Sequence, residues 1–154
     1  MGNSFFVDND SKVQGHKQNI NLLKKNMPRF IVHEHHATHL HWDLRLEFAG
    51  VLNSWAIPKG PSMNPADRRL AIQVEDHTLE YGSFEGVIPE GEYGAGEVII
   101  WDEGTYEPIG DMEAGLQNGH IAFVLHGSRL MGEFSLVRLK KGAKGNEWLM
   151  IRKK

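Results

Sequence analysis

Short runs in which apolar and polar residues alternate fill the chain from residue 29 onward, and glycine-containing turns separate them. A period of two is typical of β-strands that bury one face. Eight such runs predict strands, namely Arg29 to His35, His41 to Phe48, Leu52 to Pro58, Arg69 to His77, Glu97 to Asp102, His120 to His126, Gly132 to Leu139 and Trp148 to Arg152. Eight short strands indicate an all-β fold, either a closed or nearly closed barrel or a sandwich.

The beginning of the chain has a different pattern. Residues 1–28 are mostly polar and contain one predicted helix, Lys17 to Asn26, in which Ile20 and Leu23 form a weak apolar stripe at helical spacing. The 154 residues are enough for one domain with its own core. We therefore expect a short helical N-terminal arm over residues 1–28 and a single β domain over residues 29–154.

The second predicted strand separates its side chains by chemistry. If residues 41–48 are extended, one face carries Trp42, Leu44, Leu46 and Phe48, and the other carries His41, Asp43, Arg45 and Glu47. The strand from residue 69 to 77 shows a similar division. Its expected polar row consists of Arg69, Ala71, Gln73, Glu75 and His77. In an ordinary sandwich such rows face solvent, but surface rows favour Lys and Glu over His and Arg.

Composition limits the chemistry that these rows can support. There is no cysteine, so any metal must be bound by His, Asp, Glu or backbone oxygens. No apolar run approaches the roughly 20 residues that span a bilayer, and we expect a cytoplasmic protein with no membrane association. The net charge of −3 does not suggest a protein that coats nucleic acid non-specifically. Any polyanion must therefore be bound by a local basic patch.

Spacing in the histidine-rich segment suggests a metal site. His41 and Asp43 can present a nitrogen and an oxygen ligand to one cation, while Arg45 can bind a phosphate through two N–H groups. If His35 at the end of the preceding strand joins them, three ligands leave positions open for water and substrate. Such nitrogen and oxygen ligands suit manganese, iron or zinc. His36 and His39 lie in the connection between the strands and are expected to be solvated.

The glycine-rich segment from Gly91 to Gly96 superficially resembles a nucleotide-binding loop. No helical pattern follows it, however, and Val98 to Trp101 has the composition of a strand. We therefore interpret it as the corner of a hairpin.

Most of the chain from residue 33 to 154 resembles a known family, the 3'-phosphoesterase domain found in bacterial DNA ligase D and as free-standing proteins in archaea and bacteria. The motifs that carry the resemblance are HEHHATHLHWDLRLE, LNSWAIPKGPSMNPADRRLAIQVEDHTLEYGSFEGVIPEGEYGAGEVIIWDEGTYEP, GEFSLVRLKKG and NEWLMIRKK. The spacing HxxxxxHxDxR, joined to WAxPKGPS and VEDHxLxY, is highly specific to this family.

This resemblance implies a compact β-barrel of roughly eight strands with a polar central cavity. It implies a divalent metal, usually manganese with zinc or cobalt as alternatives, bound by His35, His41 and Asp43. The family's phosphate contacts correspond to Arg45, His77 and Tyr81, and Lys59 and Arg69 match further basic residues needed for activity. His33 and Glu75 are expected to lie next to the metal-binding and phosphate-binding residues and to hold them in place. The implied catalytic residues are His41, Asp43, Arg45, His77 and Tyr81.

Enzymes of this family repair the 3' end of a primer strand. They remove a terminal ribonucleoside to leave a 3'-phosphate and then hydrolyse the phosphate to a 3'-hydroxyl. The resemblance therefore implies DNA or RNA/DNA primer-template 3' ends as substrates, a separate DNA ligase and polymerase as partners, and a monomeric protein. The family's N-terminal Arg-Asp-Phe stretch is not intact here, because Val7 precedes Asp8 and the first Glu is Glu34. This departure concerns the ribonucleoside-removal step.

Two alternatives belong to other classes. The first is a non-catalytic DNA-end-binding subunit that recruits a ligase or polymerase, which the intact set of site residues disfavours. The second is a cupin-like small-molecule metalloenzyme, which is also a β-barrel with histidine ligands. Cupin sites usually combine His-x-His with a downstream Glu and His, whereas Arg45, Lys59 and Arg69 indicate phosphate.

Overall fold

A computed structural model describes residues 26–140 and 144–154, and all the strands in these ranges belong to one antiparallel sheet. The predicted helix from Lys17 and almost all of the predicted arm lie outside these ranges. The elements are β1 (Arg29–His36), β2 (Leu40–Phe48), β3 (Val51–Ile57), β4 (Arg69–His77), a 3₁₀ helix (Leu79–Ser83), β5 (Gly86–Ile88), β6 (Gly96–Ile109), α1 (Met112–Asn118), β7 (His120–His126), β8 (Met131–Arg138) and β9 (Glu147–Arg152).

Eight of the strands close into a barrel, which confirms the predicted fold class. Their order is β1-β2-β3-β4-β9-β8-β7-β6, and β6 returns to pair with β1. The long strand β6 makes this closure possible because its first part pairs with β1 and its last part, from Thr105 to Ile109, pairs with β7. Short strand β5 is attached to the beginning of β6.

All eight predicted strands are present, and three features go beyond the prediction. Strand β6 continues to Ile109 instead of ending at Asp102, and neither β5 nor α1 was expected. Helix α1 has ordinary boundary signals, since the Asp111 side chain accepts a hydrogen bond from the Ala114 amide at its start and Gly119 ends it with φ of +84°. No helix among the described residues is long and apolar enough to cross a membrane.

The interior of the barrel is apolar. All eight strands contribute buried side chains to one core, including Phe30, Leu44, Trp55, Phe123, Phe134 and Trp148. Because β2 gives Leu44 and Leu46 to this core, its alternating partners His41, Asp43 and Arg45 lie on the outer face of the barrel wall. The expected polar cavity is therefore a pocket outside the wall, and the centre of the barrel is filled with hydrophobic side chains.

The predicted polar row of β4 requires a correction. Ala71 is fully buried in the core, and the Oε1 atom of Gln73 accepts a hydrogen bond of 3.2 Å from the indole of buried Trp148. The pairing of β3 with β4 shifts register between Leu52 and Ser54, which is typical of a bulge. The five residues therefore do not share one face, and His77 is the member of the row that reaches the pocket.

Candidate active site

A cavity of about 350 Å³ lies against the outer face of the wall formed by β1 to β4, and residues from the segment 81–94 cover it. Its lining includes six of the predicted site residues, namely His35, His41, Asp43, Arg45, His77 and Tyr81. The covering segment packs closely at Gly82, where an added Cβ would lie 2.8 Å from the Ile31 side chain. The sequence therefore brings six predicted site residues into one enclosed space.

Three of these residues form a candidate metal site. One ligand atom from each of His35, His41 and Asp43 lies within 4.8 Å of the others. His35 Nδ1 is 3.6 Å from Asp43 Oδ2, and His41 Nε2 is 3.2 Å from Asp43 Oδ1. The β1–β2 hairpin produces this arrangement by pairing His35 directly opposite His41.

Backbone carbonyls orient the two imidazoles. His35 Nε2 lies 2.8 Å from the Gly94 carbonyl, and His41 Nδ1 lies 3.0 Å from the His39 carbonyl. A carbonyl oxygen only accepts, so these nitrogens carry the protons. His35 Nδ1 and His41 Nε2 then face the Asp43 carboxylate. Each of these nitrogens either carries a second ring proton that the carboxylate accepts or, in the neutral ring, offers a lone pair to a cation shared with Asp43. This donor set and its backbone support fit a divalent metal ion.

Electrostatics around the carboxylate agree with a cation site. Burial acts to raise the pKa of Asp43, but hydrogen bonds with His35 and His41 and the charge of Arg45 outweigh it and hold this pKa well below its usual range. The hydrogen bond with Asp43 raises the pKa of His41. Asp43 is therefore ionised and ready to bind a positive charge.

Arg45 is the buried cation of the pocket, with 2% of its surface exposed. Its Nε donates to His33 Nδ1 at 2.9 Å, Nη1 donates to Ser54 Oγ at 2.9 Å, and Nη2 donates to Asp43 Oδ2 at 3.3 Å. The guanidinium also lies 5.0 Å from the centre of the Tyr81 ring. These contacts fix the orientation of the guanidinium beside the candidate metal site.

His33 contacts Arg45 and is not among the residues that line the cavity. Its Nε2 donates to the Phe84 carbonyl at 3.0 Å, so the neutral ring joins Arg45 to the covering segment. Burial, followed by the charge of Arg45, lowers the pKa of His33 to about 4. The ring therefore stays neutral near pH 7 and can accept the hydrogen bond from Arg45.

His77 and Tyr81 close the opposite side of the pocket. Their ring centres are 4.7 Å apart, and Tyr81 also stacks on Phe84 at 5.3 Å. His77 Nδ1 lies 3.2 Å from Arg45 Nη1 and 3.1 Å from the Glu75 carbonyl. These two contacts require opposite tautomers, so the position of the ring proton depends on which one forms. Burial, then the charge of Arg45, lowers the pKa of His77.

Besides His33, three predicted residues do not line the cavity. Arg69 Nη1 donates to the Lys59 carbonyl at 2.7 Å, and its Nη2 lies 3.3 Å from Asp67. Lys59 itself is exposed beyond the end of β3. Glu75 is also exposed, and it contacts the site through its backbone carbonyl oxygen, which lies 3.1 Å from His77 Nδ1.

Sequence reasoning missed several contributors. Ser54 was a polar residue within an apolar strand, and this signal was available. Ile88, Tyr93 and Gly94 come from the covering segment, where the glycine-rich stretch was interpreted only as a hairpin corner. A strand does follow that stretch, as expected.

His36 is exposed and pairs with Glu34 at 2.6 Å, which places its side chain away from the candidate ligands.

Comparisons with known proteins converge on one family. Residues 33–138 match the family model described as the DNA ligase D 3'-phosphoesterase domain. The chain is 49% identical over 126 residues to the multifunctional non-homologous end joining protein LigD of Pseudomonas aeruginosa, covering 82% of this chain and 15% of that protein. It is 48% identical over 125 residues to the corresponding DNA repair protein of Mycobacterium tuberculosis, covering 81% and 16%. For the Mycolicibacterium smegmatis relative the identity is 44% over 135 residues, with 84% and 17% covered.

Proposed function

This chain belongs to the DNA ligase D 3'-phosphoesterase family, and we propose that it is a metal-dependent hydrolase that converts 3'-phosphate ends of DNA to 3'-hydroxyl ends. The chain spans less than a fifth of the length of the curated relatives it matches, so the proposal concerns this domain's chemistry alone. The observation that carries it is the placement of His35, His41 and Asp43 beside the buried guanidinium of Arg45 in one cavity.

The proposed reaction is the hydrolysis of a phosphate monoester. The oxygen of a water molecule bonds to phosphorus, the bond from phosphorus to the 3' oxygen breaks, and that oxygen takes up a proton. Catalysis of such a transfer requires positive charge around the phosphoryl oxygens and a proton donor for the leaving oxygen. The side chains of this pocket offer both.

A divalent metal, with manganese expected and zinc or cobalt as alternatives, would be held by His35 Nδ1, His41 Nε2 and the carboxylate of Asp43. When bound there, it would supply Lewis-acid polarisation of the phosphoryl group and activation of water. Asp43 keeps its negative charge at neutral pH, and the Gly94 and His39 carbonyls keep the histidine lone pairs directed at the site.

Arg45 would bind the phosphate. A guanidinium has five N–H donors, of which Arg45 uses one for His33, one for Ser54 and one for Asp43. When His77 Nδ1 accepts a fourth bond from Nη1, one Nη2 hydrogen remains for a phosphate oxygen. Because the guanidinium is already oriented and largely shielded from water, binding requires little reorganisation.

His77 would act as the proton donor in the hydrolysis. If its Nδ1 accepts from Arg45, its Nε2 carries the proton and can donate to a phosphate oxygen or to the leaving 3' oxygen. Tyr81 lies beside His77 and under the Arg45 guanidinium, where its hydroxyl can bind a second phosphate oxygen. The product would then be a 3'-hydroxyl that a separate polymerase can extend or a separate ligase can seal.

Removal of a terminal ribonucleoside is a second proposed activity for the same pocket. The N-terminal stretch in which this chain departs from its family, with Val7 where relatives commonly have Arg, lies outside the described ranges. A single assay can separate the two steps, because ribonucleoside removal leaves a 3'-phosphate whereas phosphomonoester hydrolysis leaves a 3'-hydroxyl.

The test is a time course with manganese on 5'-labelled primer-templates that end in a 3'-phosphate or a 3'-ribonucleotide. We expect release of the 3'-phosphate by the wild type and loss of release in Asp43→Ala with the fold retained. Full activity of Asp43→Ala would overturn the proposed site. Binding of the ends without hydrolysis would favour the end-binding alternative. Hydrolysis of simple phosphate esters alone would favour the small-molecule enzyme.

A further inference from the structure

The cavity has two unlike sides. Its floor carries the charged groups, whereas Ala37, Ala56, Val74 and Ile88 form apolar parts of its wall. Tyr93 also lines the cavity and is 76% exposed. The other two tyrosines are covered much more, since Tyr81 is half-buried and Tyr106 is 1% exposed. An aromatic ring therefore remains open to solvent at the rim of the cavity.

The backbone around Tyr93 is firmly held. The Glu92 amide donates to the Pro89 carbonyl at 3.2 Å, and the Ala95 amide donates to the Glu92 carbonyl at 3.1 Å, so two successive turns flank the residue. The next carbonyl, that of Gly94, accepts a hydrogen bond from His35 on the cavity floor. These bonds hold the backbone from which the Tyr93 ring extends, which lowers the backbone entropy lost when the ring binds a ligand.

The proposed function identifies what can reach this ring. A phosphate bound at Arg45 is attached to a nucleoside, and the nucleoside must extend from the floor toward the rim. Bases have flat apolar faces, and aromatic side chains bind them by stacking. We propose that Tyr93 stacks on the base of the 3'-terminal nucleotide while its phosphate lies on the cavity floor. This inference rests on the proposed function and deepens it by naming how the strand end is recognised.

Two properties follow for the substrate. Stacking accepts every base, because each base has a π face, so the contact with Tyr93 does not discriminate between base sequences. A base at the end of a strand also has one face that no neighbouring base covers. Tyr93 can cover that face without unstacking the strand, whereas an internal nucleotide offers no such face. The contact therefore favours ends over internal phosphates.

The experiment compares Tyr93→Ala and Tyr93→Phe with the wild type on two 3'-phosphorylated oligonucleotides, one with a terminal base and one ending in an abasic tetrahydrofuran unit. Loss of one stacking contact raises KM by about 5-fold to about 150-fold. We expect this rise for Tyr93→Ala on the base-containing substrate, no rise for Tyr93→Phe, and equal KM values for all three proteins on the abasic one. Ile109→Ala, at another exposed apolar position, is the control.

Three results would overturn the inference. These are an unchanged KM for Tyr93→Ala, an equal loss on the abasic substrate, and an equal loss in Tyr93→Phe, which would assign the effect to the hydroxyl. Fluorescence of a terminal 2-aminopurine, which stacking quenches, separates this inference from the proposed function. Quenching that depends on Tyr93 without phosphate release would contradict the proposed function alone, whereas release without such quenching would contradict the stacking contact alone.

Discussion

Arg45 Nε donates a buried hydrogen bond of 2.9 Å to His33 Nδ1, and His33 Nε2 donates a hydrogen bond of 3.0 Å to the Phe84 carbonyl. The guanidinium is therefore held through a neutral imidazole to the segment that covers the pocket. A side chain in this place must accept on one side and donate on the other.

Substitution of His33 tests this requirement. Glutamine has both an acceptor and a donor, so His33→Gln should keep most of the phosphate release. Leucine has neither, and His33→Leu leaves a buried N–H of Arg45 without its partner, which costs about 1–3 kcal/mol. Urea unfolding and 3'-phosphate release measured on both variants check this. Equal behaviour of the two variants would contradict a hydrogen-bonding role.

Adjacent histidines offer a matched test of the metal site. His35 lies in the candidate ligand set, whereas His36 is exposed and paired with Glu34. A ligand present at 100 times its Kd stabilises the folded state by about 2.7 kcal/mol. We expect manganese to raise the Tm of the wild type and of His36→Asn but not that of His35→Asn. Thermal unfolding with and without manganese measures this, and the reverse result would disprove the ligand assignment.

The lowered pKa of His77 predicts a pH dependence of stability. Burial and the charge of Arg45 make the folded protein bind this proton more weakly than the unfolded chain, whose ordinary value is 6.5. The stability contributed in this way is complete above pH 6.5 and is lost as the pH falls through the lowered pKa. The free energy of unfolding of the wild type, minus that of His77→Gln, should therefore decrease as the pH falls.

Urea titrations over that range, with a chelator present, measure the difference directly. Contributions from titrating groups that do not interact with His77 are common to both proteins and cancel in it. A difference that stays constant, or that grows as the pH falls, would contradict the lowered pKa.

Closure of the barrel depends on Gly104, which lies where β6 passes from β1 to β7. An added Cβ would come within 2.0 Å of the His126 carbonyl oxygen. We expect Gly104→Ala to lower the free energy of unfolding by about 3 kcal/mol. Gly110→Ala, where a Cβ would meet nothing within 4 Å but φ is +84°, should cost about 1 kcal/mol. Thermal or urea unfolding compares them, and an equal loss would show that the strands can separate at Gly104.

The strand pattern predicted most of the barrel because period-two alternation depends only on neighbouring residues. The end of β6 was missed because residues 103–109 contain Gly104 and Pro108, which weaken a strand signal. Strand β5 has three residues, too few to show a period. Helix α1 had its Asp111 and Gly119 boundary signals, yet its seven residues lay in a stretch with no distinctive motif.

The candidate metal site was predictable for a related reason. His41 and Asp43 share one strand face by spacing alone, and a tight hairpin places His35 opposite His41. The supporting carbonyls of Phe84 and Gly94 were not predictable, because they reach the site through tertiary packing. Ser54 is different, since it pairs directly with Arg45 across β2 and β3 and is a polar residue within an apolar strand. The shared face expected for β4 failed at a register shift, which no local pattern indicates.

Alternate residues of β2 serve two separate compartments of the molecule, with Leu44 and Leu46 inside the barrel and Asp43 and Arg45 outside it. Substitutions among the outward residues leave the barrel contents unchanged, so the chemistry of this wall can be redesigned on an intact scaffold. An insertion of one residue within β2 has the opposite effect. It would exchange the faces of the residues on one side of the insertion, placing charges in the core or leucines at the pocket, and would disrupt fold and function together.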